Sequence, residues 1–122
     1  MVSIQQWIIP GILFLAAVGF GFWVSKTGKP YHGLLFNIHK LAALSAAILT
    51  GMRIIKLDTF LTFPLYVIIL IALSVLGVIA IFASGAVMSI QEQVRKAPKL
   101  THQISASIIT GSMLLAFYFL SQ

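Results

Sequence analysis

The chain has 122 residues, of which 60% are hydrophobic and only 8% charged, with no cysteine and a formal net charge of +6. A soluble domain carries about 25% charged residues, so this composition, with a mean hydropathy of +1.06, excludes an ordinary water-soluble surface and makes lipid the expected solvent. The missing cysteine excludes thiol redox chemistry, disulfides and iron–sulfur clusters, and the basic excess lies in short connectors, where it sets membrane orientation and does not point to nucleic acid.

A membrane span needs about 20 apolar residues. The first predicted span runs from about Trp7 to Val24. It does not read as a signal peptide, because Met1–Gln6 holds no basic residue and the apolar stretch ends in aromatics without a small-residue cleavage site. Lys26-Thr27-Gly28-Lys29-Pro30 breaks it. The second span runs from about His32 to Ile55, and Arg53, Lys56 and Asp58 mark its end. The third extends from near Phe60 to near Ile90, long enough to imply tilt or an extension into water. The polar segment from Gln91 to Lys99 follows, and the fourth span runs from about Thr101 to Leu120. Pro10 and Pro64 fall in first turns, where proline is tolerated. The expected fold is all-α, a single transmembrane domain over residues 1–122 forming an integral membrane four-helix bundle of up-down-up-down topology.

Counting basic residues gives the expected orientation. Lys26, Lys29, Lys40, Arg95, Lys96 and Lys99 share one face, whereas Arg53 and Lys56 lie on the other. The positive-inside rule then puts loops 1 and 3 in the cytoplasm and both termini outside, in a bacterial or archaeal cell membrane. Trp7, Trp23, Tyr31 and Tyr118 lie near span ends, as an aromatic belt requires. The second and fourth spans run in the same direction, so all three histidines, His32, His39 and His102, are expected in one leaflet.

A short internal match is visible. His39-Lys-Leu-Ala-Ala lies over His102-Gln-Ile-Ser-Ala, each follows a connector bearing lysine and proline, and each helix later carries Thr-Gly (Thr50-Gly51 and Thr110-Gly111). A true duplication would give a parallel repeat about an axis along the membrane normal, although apolar helices of low complexity also match by chance.

The histidines are the candidate chemistry. His32, beside Tyr31 and two residues after Pro30, reads as an interfacial polar residue. His39 lies about 10 Å further along the helix axis, where an ionisable group is costly and usually has a partner. Lys40 beside it has a stem long enough to snorkel. Ala43, Ala46 and Thr50 follow His39 on one helical face, and Ser105, Ala106, Ile109 and Thr110 follow His102. Small residues of this kind ordinarily let membrane helices approach. Beneath paired histidines they also leave room for a flat cofactor.

Ligand type selects among cofactors. A catalytic zinc site usually takes three protein ligands, but His32 and His39 are seven residues apart on one helix, and the only acids are Asp58 and Glu92, one on the opposite face and one in a loop. Two imidazoles from facing helices suit the axial positions of a haem iron. Lys26, Lys29, Lys40, Arg95 and Lys99 crowd the same face and could neutralise propionates. Helical depth leaves His102 between His39 and His32. The small-residue stripe selects the pair His39 and His102, and His32 with His102 is the alternative.

Four helices, basic cytoplasmic connectors and histidines on the second and fourth helices, carried by Phe36-Asn37-Ile38-His39-Lys40 and Lys99-Leu100-Thr101-His102-Gln103, resemble the small membrane b-type cytochromes, in the broad cytochrome b561-like sense. That resemblance implies haem b and electron transfer. The family often uses four histidines for two haems, one near each face. This chain departs from it, because its external half carries no histidine, so at most one bis-histidine haem is expected.

The remaining polar groups add little. Met88 is a lone methionine read as packing, and Arg53 and Asp58 are expected to form a weak surface pair. Gln103, Asn37 and Tyr66 are candidate quinone contacts. No phosphate loop, Ser/His/Asp set or paired carboxylates exists to support a hydrolase or kinase. Expected partners are the lipid bilayer, a quinone, and other membrane subunits or a second copy of the chain, with no nucleic acid. The competing readings are a non-catalytic accessory or scaffold subunit, with histidines as polar interhelical contacts, and a small proton or solute transporter using them as relays, disfavoured by the lack of intramembrane acids.

Overall fold

The computed structural model describes residues 3–57 and 62–122. Four helices long and apolar enough to cross a membrane fill them, and among the described residues there is no strand. After one 3-10 turn, Ile4–Trp7, the helices are α1 (Ile8–Thr27), α2 (Gly33–Ile55), α3 (Leu65–Ile90) and α4 (Lys96–Leu120). They form two compact units, a hairpin of α1 and α2 and a hairpin of α3 and α4. Asp58 and Phe60, and with them the expected Arg53–Asp58 pair and the start of the third span, lie outside the described residues.

In the first hairpin, Pro10 is the third residue of α1, a position whose N–H would have no intrahelical acceptor. The helix continues past Val24 through Lys26 and Thr27, three residues beyond the expected end. Gly28 stops it: its φ of 66° is one that L side chains rarely adopt, and its N–H closes on the Val24 carbonyl at 3.1 Å. The Thr27 hydroxyl donates to the same carbonyl at 3.1 Å. His32 is the N-cap of α2. Arg53 lies in the last turn of α2, where a cation complements the helix dipole.

In the second hairpin, Pro64 is the N-cap of α3, one position outside the helix, not within its first turn. The polar connector is only Gln91–Arg95, because α4 begins at Lys96, five residues before the expected Thr101. Pro98 does not break it, since a proline in the first turn removes only an N–H that has no intrahelical acceptor. Lys96 and Lys99 therefore belong to a helix end that extends past the apolar span.

Each hairpin packs through a narrow seam of small or branched residues. Ala17 and Val24 of α1 and Ala42 and Ala46 of α2 are buried. So are Val67, Ile71, Ser74, Gly77 and Ser84 of α3, and Ser105, Ile109, Ser112 and Ala116 of α4. Gly77 is one of the two glycines at which closest approach is decisive: a Cβ there would lie 2.7 Å from Ile109 Cγ1. The buried Ser74 hydroxyl donates to the Leu70 carbonyl one turn back at 2.9 Å, so the seam buries no unsatisfied polar atom there. Outside the seams, leucine, isoleucine and phenylalanine are exposed along every helix (Leu15 and Phe22 at 70%, Ile79 at 62%). Lipid tails solvate such faces and water does not.

Candidate functional site

His39 and His102 occupy corresponding places in their hairpins. Each connector is five residues long, Gly28 to His32 and Gln91 to Arg95. His39 stands six positions after the first residue of α2, Gly33, and His102 six positions after the first residue of α4, Lys96. His32, by contrast, is the last residue of its connector, is exposed, and makes no side-chain cap bond.

Both half-buried imidazoles reach across to the preceding helix. His39 Nδ1 lies 2.8 Å from the Ala17 carbonyl oxygen. His102 Nδ1 lies 3.0 Å from the Ile81 carbonyl oxygen. A carbonyl only accepts, so Nδ1 carries the proton in both rings. In the neutral imidazole this leaves the lone pair on Nε2. A ligating histidine is commonly held in this way, with its other nitrogen fixed by a carbonyl or carboxylate.

A glycine lies against each ring, one turn after the accepting carbonyl: Gly21 follows Ala17 by four residues, and Gly85 follows Ile81 by four. A Cβ on Gly21 would lie 2.7 Å from His39 Cε1 and 3.0 Å from its Nδ1. A Cβ on Gly85 would lie 3.3 Å from His102 Cε1. The repeated element is thus carbonyl, glycine one turn later, connector and histidine. It extends the short sequence match around His39 and His102 back into the preceding helix of each hairpin. The buried residues after each histidine also correspond, Ala42 and Ala46 in α2 with Ser105 and Ile109 in α4.

The small residues expected beside the histidines divide between seam and flank. Ala46 is buried, while Ala43, Thr50, Ala106 and Thr110 are half-buried. In the second hairpin the seam below His102 is occupied by the Gly77–Ile109 contact. Lys40 is exposed, with its ammonium 4.8 Å from the centroid of the Phe36 ring. Phe36 stacks on Tyr31 at 5.1 Å with planes 22° apart, and Lys29 covers Tyr31 at 5.2 Å. The first connector therefore ends in a ladder of lysine, tyrosine, phenylalanine and lysine, held by cation–π and stacking contacts. Burial in it pushes the Tyr31 phenol above its ordinary value of 10.0.

Arg95, Lys96 and Lys99 are exposed around the start of α4, and the Arg95 backbone N–H donates to the Gln91 side chain at 3.3 Å. Of the quinone candidates, Asn37 and Gln103 are exposed near the histidine ends of their helices. Tyr66 lies at the opposite end of its hairpin from His102, edge-on to Phe119 at 4.9 Å. Met88 is half-buried in the last turn of α3. Among the described residues no group of three or more His, Cys, Asp or Glu side chains could hold a metal ion.

Ala17, Ile81, Gly21 and Gly85 are the residues of the preceding helices against which the two imidazoles rest. The two carbonyls belong to the backbone and carry no sequence signal. The glycines have a weak one: each precedes its histidine by nearly the same interval, from Gly21 to His39 and from Gly85 to His102. The chain matches no protein-family model, no curated protein and no solved structure.

Proposed function

We propose that the protein is a haem b-binding membrane electron-transfer protein, with one haem per chain and His39 and His102 as its axial ligands. The observation that carries this reading is the matched holding of two imidazoles, each six residues into its helix and each donating Nδ1–H to a carbonyl of the preceding helix, the tautomer in which a histidine ligates through Nε2. The donor set fits the group: two neutral imidazoles without cysteine or carboxylate suit a low-spin haem better than zinc or copper. Bound there, the iron would supply one-electron chemistry. The chain's own residues would fix ring orientation through Ala17 and Ile81, and exclude water with apolar helix faces. Lys40, together with Lys26, Lys29, Arg95 and Lys99, would offer cations to propionates. Ala43 and Ala106, half-buried on the flanks of their helices, would lie beside the macrocycle, whereas Ala46 is buried in the seam with α1. His32, exposed at its N-cap, is set aside as a ligand.

The same reading puts the two histidine-bearing ends at the cytoplasmic face by the positive-inside rule, with electrons exchanged with a quinone or a partner redox protein. Titrating haem into the detergent-solubilised apoprotein tests it. A Soret band that saturates at one haem per chain is expected; no saturable Soret absorption would overturn the reading.

A second reading, a non-catalytic scaffold subunit, draws on the same bonds. His39 and His102 each tie the second helix of a hairpin to the first, as polar interhelical contacts in membranes do. The haem titration separates the two.

A further inference from the structure

A serine hydroxyl adds a second partner at the His102 site. In the second hairpin Ser84, buried and one residue before Gly85, lies with its Oγ 3.2 Å from His102 Nδ1. Its hydroxyl proton is committed to its own helix, donated to the Ala80 carbonyl at 2.7 Å, with the Ile81 carbonyl at 3.1 Å. The oxygen lone pair is therefore what faces the imidazole. The Nδ1–H of His102 is shared between two acceptors, the Ile81 carbonyl at 3.0 Å and the Ser84 hydroxyl oxygen. At the corresponding place before Gly21 the first hairpin has Phe20.

We propose that Ser84 is a positioning residue for His102. It fixes the Nδ1–H tautomer, orients the ring and makes Nε2 of His102 a stronger electron donor. A second acceptor on Nδ1–H draws the proton away from the ring and leaves more electron density on the distal nitrogen. Toward a haem iron, and resting there on the function proposed above, this would favour the ferric state and lower the reduction potential. Ser84 acts only through the imidazole.

The test compares Ser84→Ala, which deletes the hydroxyl, with Ser84→Thr, which keeps it. The first readout needs no haem: the side-chain resonances of 15N-labelled His102 in the full-length apoprotein in detergent micelles. The Hδ1 proton of His102 is expected to move upfield in Ser84→Ala and to return in Ser84→Thr, with His39 unmoved in both. The second readout is the midpoint potential of the haem-loaded protein, expected to shift positive in Ser84→Ala and back in Ser84→Thr. An unchanged His102 Hδ1 resonance in Ser84→Ala overturns the proposal, as does a shift that Ser84→Thr fails to reverse. If the Hδ1 shift is found but the wild-type chain takes up no haem, the positioning role stands and the proposed function falls.

Discussion

The ring of His39 lies on Gly21 so closely that a single added methyl at that glycine would stand 2.7 Å from the imidazole Cε1. The same ring is tied to the Ala17 carbonyl at 2.8 Å, so it has little freedom to move aside. Gly21→Ala should displace the imidazole and cost about 1–3 kcal/mol of stability, the usual range for overpacking a close contact. Gly85→Ala, with its Cβ 3.3 Å from His102 Cε1, should cost less. Gly19→Ala, with nothing within 4 Å, serves as the control. Thermal unfolding in detergent measures the order; equal losses at Gly21 and Gly19 would contradict the packing described.

The Gly77–Ile109 contact makes a separate prediction about the second hairpin. Gly77→Ala places its Cβ 2.7 Å from Ile109 Cγ1 and should destabilise the protein. In an Ile109→Ala background the same substitution should cost much less, with a coupling in the range of about 0.5–3 kcal/mol expected for residues in contact. A double-mutant cycle read by thermal unfolding checks this, and strict additivity would show that the two residues do not meet.

Tyr31 should titrate late. Burial holds its phenol above 10.0 in the folded chain, so the folded state keeps a proton that the unfolded state has lost. The stabilisation is fully present below pH 10 and disappears as pH rises through the higher folded value. Difference absorbance of the phenolate should show a late-titrating component in the wild type that is absent from Tyr31→Phe. A Tyr31→Phe chain with an unaltered titration curve would contradict the raised value.

Orientation can be read with single cysteines, because the chain has none of its own. Gln93→Cys lies exposed in the connector before α4, and Ser121→Cys just beyond the end of that helix. In intact cells a membrane-impermeant maleimide should label Ser121→Cys and not Gln93→Cys. The reverse pattern would overturn the assignment of the basic ends to the cytoplasm.

Much of this architecture is legible in the sequence, because apolar length alone specifies a membrane helix. The spans came out of hydropathy, and His39 stood out because an imidazole that deep needs a partner. The helix ends were harder. Lys26 and Thr27 read as a break although α1 runs on to the positive φ of Gly28, and Lys96 to Lys99 read as a loop although Pro98 fits a first turn. Charge and proline signal where the apolar core ends, not where the hydrogen-bonded helix ends. The partners of the histidines were illegible for another reason: Ala17 and Ile81 act through backbone carbonyls, which any residue supplies. Gly21, Ser84 and Gly85 are, in sequence, three small residues among many, and only the contacts each makes across its hairpin distinguish them.

His39 and His102 as a ligand pair carry the proposed function. The most direct measurement is the dithionite-reduced minus oxidised absorption spectrum of the haem-supplemented wild type beside His32→Ala, His39→Ala and His102→Ala. The wild type and His32→Ala should show a six-coordinate low-spin haem b spectrum, and His39→Ala and His102→Ala should each lose it. A six-coordinate low-spin spectrum retained in His39→Ala, or its absence from the wild type, would contradict the account.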